Sequence, residues 1–80
     1  MELFQTFDIF LASFLEYRIG IPSELRISIN RRVSFTFPQT PALLQLVSAY
    51  HKDTNVSLAD FLATYRSLRG RMFAVRGSAR

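Results

Sequence analysis

Arginine is the residue type in this chain that is best suited to hold a charged ligand. Nine of the ten basic residues are Arg, and the planar guanidinium fits phosphate or carboxylate better than an ammonium does. Positive charge is concentrated at one end, because residues 61–80 contain five arginines and no acid, whereas residues 1–24 contain four acids and one arginine. The candidate contacts to a polyanion are Arg26, Arg31, Arg32, Arg66, Arg69, Arg71 and Arg76.

Two interpretations of the C-terminal arginines are open. Arg66, Arg69 and Arg76 are spaced by three and seven residues, so a helix through this segment would place them on one side, as a polyanion-binding surface requires. Cations also stabilise the negative C-terminal end of a helix and keep a surface soluble, and a G+C-rich coding sequence enriches Arg without any functional content. Composition by itself does not separate these interpretations.

Other residue patterns do not predict a catalytic or metal site. The chain has no Cys and a single His. That residue, His51, lies beside Lys52 and is expected to be a solvated residue that stabilises a helix end. The sequence contains no metal-ligand spacing, Gly-rich phosphate loop or nucleophile motif. We therefore expect a protein that uses no cofactor or metal and is not an enzyme.

The composition is that of one folded domain. A chain of 80 residues with 49% hydrophobic residues has room for one core. Its longest apolar run, residues 72–75, is far shorter than the roughly 20 residues that span a bilayer, and its N-terminal region carries acids where a signal peptide carries cations. We expect a cytoplasmic domain over residues 1–80 that does not bind membranes, has a frayed tail at 77–80, and self-associates because its core is small.

The N-terminal part predicts a helix. Apolar residues recur at three- and four-residue spacing over residues 7–17, which is typical of an amphipathic helix with Phe7 and Phe10 on its apolar face. Thr6 is the expected N-cap. Gly20 is the expected C-terminal end, because glycine tolerates the left-handed conformation that follows many helices.

Strict alternation of apolar and polar residues then predicts two strands. They cover residues 25–29 and 33–37, both rich in β-branched or aromatic side chains. Because directly opposed residues share a face of the sheet, we expect Ile29 to oppose Val33 and residues 30–32 to form a three-residue loop.

This hairpin would position three of the arginines. Arg31 and Arg32 lie at its tip, and Arg26 lies on its outer face. Phe35 and Phe37 resemble the exposed aromatic residues of an RNA-recognition strand, but their shared face with the other apolar residues favours a place in the core. The outer face would present Arg26, Ser28, Ser34 and Thr36.

Two further helices follow the hairpin. Thr40 as N-cap and Pro41 at the first helical position begin the second helix. Residues 52–55 form the connecting loop, and Ser57 caps a third helix. This helix continues past Gly70, at a cost of about 1 kcal/mol relative to Ala. The sequence thus predicts a small single α+β domain of the order helix-strand-strand-helix-helix, with an antiparallel hairpin packed on helices.

Several cap and core positions also match the pattern of a known family. Over about residues 6–73 the chain resembles a family of short bacterial proteins that is classed as a domain of unknown function. The resemblance implies an architecture and no activity. The matching residues are Thr6, Asp8, Leu11, Ala12, Phe35, Phe37, Thr40, Pro41, Leu43, Leu68 and Arg69.

A second resemblance covers residues 33–68. An alternating strand, Pro38, a helix, a short loop and a Ser-capped helix resemble the ribbon-helix-helix family. Proteins of that family are dimers whose paired strands enter the DNA major groove. The resemblance implies groove contacts from Arg32, Ser34 and Thr36, and phosphate contacts near Asn55 and Ser57.

These patterns lead to two hypotheses of different classes. In the first, the chain is a non-enzymatic nucleic-acid-binding module that binds DNA more than RNA and acts as a homo-oligomer. In the second, it is a protein-interaction or assembly subunit that uses an exposed strand edge or the apolar residues 72–75.

Overall fold

The computed structural model of the protein describes residues 2–52 and 55–78. In chain order, the elements are β1 (Leu3–Thr6), α1 (Ile9–Ile19), β2 (Glu24–Ile27), β3 (Val33–Pro38), α2 (Pro41–Tyr50) and α3 (Leu58–Ser78). The predicted α+β class and the antiparallel hairpin packed on helices are confirmed. The element order differs from the prediction by one additional strand at the start.

The additional strand, β1, completes a three-stranded antiparallel sheet of order β1-β3-β2. It pairs with β3 so that Phe4 faces Phe37 and Thr6 faces Phe35. Four residues are too few for alternation to stand out against the helical pattern that follows them. The third strand gives the β2–β3 hairpin the support that an isolated hairpin lacks in water.

The first helix begins later than predicted because Asp8, and not Thr6, is its N-cap. The Asp8 carboxylate accepts hydrogen bonds from the backbone N–H groups of Phe10, at 2.9 Å, and Leu11, at 3.3 Å. The Thr6 hydroxyl accepts one from the Asp8 N–H instead. A carboxylate is favoured at this end of a helix. Phe7 consequently lies before α1 and not on its apolar face.

The predicted C-terminal end of α1 is confirmed. Gly20 caps the helix at a φ of 78° and donates its backbone N–H to the Glu16 carbonyl. This left-handed conformation is the one that glycine adopts without strain.

The hairpin register is two residues away from the predicted one. Leu25 faces Phe35 and Ile27 faces Val33, so β2 ends at Ile27 and Ile29 is fully exposed in the connection. A shift of two residues keeps every side chain on its predicted face, and for this reason the alternation does not reveal it. The connection is therefore longer than the predicted loop.

The core lies between the inner face of the sheet and the three helices. Phe35 and Phe37 belong to it, as predicted, together with one or more residues from each helix. The smallest dimension of the molecule is 18 Å, which agrees with one sheet layer and one helix layer. The buried apolar residues are Leu11, Ala12, Phe14, Leu15, Val33, Phe35, Phe37, Leu43 and Leu68.

The starts of α2 and α3 agree with the sequence. The Thr40 hydroxyl accepts a hydrogen bond from the Leu43 N–H at 3.1 Å, with Pro41 at the first helical position. α3 begins directly after Ser57 and continues through Gly70 to Ser78. Residues 53–54 of the predicted connecting loop and residues 79–80 of the predicted tail lie outside the described residues.

Candidate nucleic-acid interface

The connection between β2 and β3 is held by its own hydrogen bonds. Ser28 donates its backbone N–H to the Arg32 carbonyl, and Arg31 donates its N–H to the Ser28 carbonyl, both at 2.9 Å. The Ser28 hydroxyl also bonds to the Asn30 side chain. Arg31 has a φ of 65°, which only a small share of non-glycine residues adopts. Arg31 and Arg32 are both exposed at this end of the sheet, as predicted.

Arg32 stacks on an aromatic ring that the sequence pattern assigned to a helix. Its guanidinium carbon lies 4.1 Å from the centre of the Phe7 ring, well inside the range of a cation–π contact. Phe7 is 44% exposed. The two side chains meet because Phe7 follows β1 and Arg32 precedes β3 in adjacent strands of the sheet.

The outer face of the sheet, which is the face turned away from the core, is polar. Arg26 lies there, as predicted, and forms an exposed ion pair with Glu24 at 3.2 Å. Ser34 and Thr36 point to the same face but are buried between the flanking strands. The Thr36 hydroxyl has no hydrogen-bond partner within the part of the chain that the structure describes.

Three arginines project from α3. Arg66, Arg69 and Arg76 are exposed, and for the residues described no carboxylate lies within ion-pair distance of them. The guanidinium carbon of Arg69 lies 5.3 Å from the centre of the Phe73 ring. The predicted continuation of the helix past Gly70 is what allows all three to share a single element.

Arg71 is also a predicted contact to a polyanion, but its side chain is engaged within the fold. Its guanidinium lies 2.5 Å from the Glu16 carboxylate, and the two side chains are 35% and 9% exposed. Glu16 also accepts hydrogen bonds from the N–H and the hydroxyl of Ser23. The pair joins α3 to α1 and to the start of β2. We therefore assign Arg71 to the stability of the fold.

Most of the described acidic residues have a partner close by in the fold, and only two of them neutralise an arginine. Asp8 caps α1, and Glu16 and Glu24 form ion pairs. Glu2 accepts a hydrogen bond from the Gln39 side chain at 2.8 Å, and Asp60 lies in the first turn of α3. Among the described residues, the exposed arginines that have no carboxylate within ion-pair distance are Arg18, Arg31, Arg32, Arg66, Arg69 and Arg76.

An open depression of about 540 Å³ lies between the end of α1 and α3. Arg71 and Glu16 line it together with Thr64 and Ser67. Because both charged groups already have partners, the depression offers no unbalanced charge to a ligand. We do not assign it a function.

The apolar residues 72–75 divide between the core and the surface. Met72 packs against the core and Val75 is half-buried, whereas Phe73 is 49% exposed. Both β1 and β2 are edge strands of the sheet. The two surfaces named in the protein-interaction hypothesis therefore amount to Phe73 on α3 and two short strand edges.

The titratable residues His51 and Tyr50 lie together at the end of α2. His51 is an exposed C-terminal cap, as predicted, and contacts the Tyr50 ring edge to face. Burial, and then the nearby Asp8 carboxylate, raise the pKa of the Tyr50 hydroxyl. Because the pKa is higher in the folded chain, ionisation of Tyr50 opposes folding, and it does so only in alkaline solution.

Residues 2–52 and 55–78 form neither a metal site nor a membrane-spanning helix. These residues contain no group of three or more His, Cys, Asp or Glu side chains that could hold a metal ion. None of the helices they form is both long enough and apolar enough to cross a membrane.

The sequence matches one family model along most of its length. The family is described as Domain of unknown function (DUF5659), and its model covers residues 1–74. The chain belongs to this family. No curated protein and no solved structure matches it. The DUF5659 match spans the sheet and α3 as far as residue 74, so that Arg76 alone among the candidate arginines lies beyond it.

The ribbon-helix-helix resemblance fails at its central feature. In this DUF5659 chain, β3 is the middle strand and is paired on both sides. It therefore has no free edge with which to pair with a second copy, as that family requires. Ser34 and Thr36 do lie on the outer face, but in a three-stranded sheet of one chain.

Phe7 is the candidate binding residue that the sequence pattern missed. Its spacing to Phe10 and Leu11 fits an amphipathic helix as well as it fits the end of a strand. The Asp8 side chain is the one local signal for the correct assignment, since Asp is a strong N-cap. With Asp8 as the cap, Phe7 would have been placed outside the helix.

Proposed function

We propose that this protein is a small, basic, non-enzymatic module of the cytoplasm that binds nucleic acid, DNA in preference to RNA. The observation that supports it is a set of exposed arginines whose side chains form no ion pair and no hydrogen bond among the described residues: Arg31, Arg32, Arg66, Arg69 and Arg76. Arg18 is also exposed but donates to the Asn55 carbonyl at 2.8 Å. A guanidinium fits a phosphate through two parallel hydrogen bonds. Neutralising phosphates also releases condensed counterions, which favours binding at low salt.

The arginines form two groups, which we call the hairpin surface and the α3 surface. The hairpin surface consists of Arg31 and Arg32 at the end of the sheet, with Arg26 beside them on the outer face. The Arg26–Glu24 pair is exposed and therefore weak, so Arg26 can exchange its carboxylate for a phosphate. The α3 surface consists of Arg66, Arg69 and Arg76.

Two double variants test this proposal and compare the surfaces. Arg31→Ala/Arg32→Ala and Arg66→Ala/Arg69→Ala each remove two charges and leave a formal net charge of +2, since the chain carries +4. Affinity for labelled single-stranded and duplex DNA is measured by fluorescence anisotropy at several salt concentrations. Loss of two phosphate contacts reduces the magnitude of the salt slope by about two. We expect this loss for either pair.

Lys52→Ala is the matched control, because Lys52 is an exposed cation at the end of α2, outside both surfaces. It should leave the salt slope unchanged. Circular dichroism establishes that each variant is folded. Binding that persists unchanged in both double variants would overturn the proposal.

The second candidate function is that of a protein-interaction subunit, favoured by the exposed ring of Phe73 on α3. In this case Phe73→Glu abolishes association, either with itself or with a partner, while the arginine variants leave it intact. Light scattering of the purified chain measures self-association directly. The arginine account instead requires Phe73→Glu to reduce DNA affinity less than either double arginine variant does.

A further inference from the structure

The outer face of the sheet carries a cation–π stack at the end where the hairpin surface lies. Arg32 lies over the Phe7 ring with 4.1 Å between the guanidinium carbon and the ring centre. Phe7 is 44% exposed, whereas Phe35 and Phe37, the aromatic residues of β3, are buried in the core. This ring therefore supports a cation at the surface and contributes little to the core.

Both the backbone and the side chain of Arg32 are held in place. Its backbone carbonyl accepts the Ser28 N–H at 2.9 Å, and its own N–H is shared between the Ser28 hydroxyl and the Asn30 side chain. The Phe7 ring holds the guanidinium from beneath. Arg32 is nevertheless exposed. A planar group that is held in place on one face and open on the other can stack a second planar group.

Polar groups that could bond to such a planar ligand lie next to this stack. The strand register places Gln5, Thr36 and Glu24 in one row across the outer face, adjacent to the row of Ser34 and Arg26. Thr36 is 6% exposed, and in the described part of the chain its hydroxyl finds no hydrogen-bond partner. The exposed polar side chains of these two rows are Gln5, Glu24 and Arg26, and they are the groups that a ligand on this face reaches without a change in the sheet.

We propose that the outer face of the sheet binds single-stranded nucleic acid, with an unpaired base stacked on Arg32 above Phe7. The inference rests on the proposed nucleic-acid function and makes its ligand more specific. Arg31 beside the stack is free to neutralise the adjoining phosphate. Bases in a duplex are already stacked on their neighbours, so a stacking surface of this kind favours unpaired strands, as aromatic and Arg platforms do in other single-strand binders.

The test compares four labelled oligonucleotides of equal length by anisotropy: oligo(dT), oligo(rU), an abasic strand with the same phosphates, and a DNA duplex. We expect oligo(dT) or oligo(rU) to bind more tightly than the abasic strand and the duplex. Loss of one stacked base reduces affinity at least about fivefold. A preference for oligo(dT) supports both proposals, whereas a preference for oligo(rU) supports the stacking inference and overturns the proposed preference for DNA over RNA.

Arg32→Lys is the decisive variant, because it keeps the charge and removes the plane. It should lower affinity for the base-carrying strands at least about fivefold and leave binding to the abasic strand unchanged. Phe7→Leu should do the same by removing the ring beneath Arg32. Phe10→Leu is the matched control, since Phe10 is also an exposed ring but stacks on Tyr65 of α3.

The two proposals fail in different ways. Salt-dependent binding that is equal for the base-carrying strands, the abasic strand and the duplex, and that is unaffected by Arg32→Lys, would overturn the stacking inference and leave the arginine proposal standing. An absence of binding to all four probes at low salt would overturn both.

Discussion

Replacing Arg71 by Met is expected to lower the free energy of unfolding by about 1–3 kcal/mol. The substitution removes the cation from Glu16, whose side chain is 9% exposed and lies 2.5 Å from Arg71. The carboxyl group would keep the two hydrogen bonds from Ser23 but would lose its cationic partner in a poorly solvated place. Urea denaturation followed by circular dichroism measures the effect.

Arg26→Met is the matched control for this prediction. Arg26 forms the same type of ion pair with Glu24, but the two side chains are 56% and 68% exposed. Exposed pairs contribute about 0–1 kcal/mol, so we expect little change in stability. Combining Arg71→Met with Glu16→Gln should restore much of the loss, because the second substitution removes the stranded charge. Equal losses for Arg71→Met and Arg26→Met would contradict a structural role for Arg71.

Phe35→Ala is expected to have the largest effect of any single substitution proposed here. Phe35 is 1% exposed and lies in the central strand between Thr6 and Leu25. Removing a buried phenyl ring costs about 3–5 kcal/mol through lost burial and the cavity that remains. A domain of this size has a total stability of roughly 4–12 kcal/mol. The substitution therefore removes at least about a quarter of the total stability, and the urea midpoint should fall by a similar fraction.

Phe73→Ala provides the comparison for Phe35→Ala. Both substitutions remove a phenyl ring, but the ring of Phe73 is half exposed on α3. We expect a loss of less than about 1 kcal/mol. The difference between the two urea midpoints measures the contribution of burial. Similar midpoints would show that Phe35 is not part of the core.

The helices and the faces of the hairpin could be predicted because their signals are local. Thr40 with Pro41 marks the start of α2, and Gly20 marks the end of α1. The alternation over β2 and β3 places Phe35 inside and Arg26 outside in any register that shifts by an even number of residues. The same symmetry is why the register itself was predicted wrongly, with Ile29 and not Ile27 opposite Val33.

The errors arise where two local signals compete or where a distant partner decides. Thr6 and Asp8 are both good N-caps, and the choice between them determines whether Phe7 is a core residue of a helix or an exposed ring after a strand. Arg71 cannot be separated from Arg69 by pattern, because its partner Glu16 is 55 residues away in the sequence. The candidate site could thus be predicted as a set of arginines but not divided into structural and exposed members.

The distinction between the structural arginine and the exposed arginines matters for function, because only the exposed ones offer positive charge to a ligand. Arg71 is neutralised by Glu16, while Arg31 and Arg32 project from the end of the sheet without a carboxylate among the described residues. A polyanion that approaches the molecule therefore meets two separate basic surfaces. Together with the Phe7 ring under Arg32, this arrangement is the basis of the proposed preference for an unpaired strand.

The measurement that tests the central claim most directly is the affinity of the unmodified protein for a labelled single strand as a function of salt concentration. If Arg31, Arg32, Arg66, Arg69 and Arg76 each neutralise a phosphate, the logarithm of the binding constant falls with the logarithm of salt concentration with a slope of about −3.5. We predict a slope between about −3 and −4 for a single strand. A slope near zero, or no binding at low salt, would contradict the account.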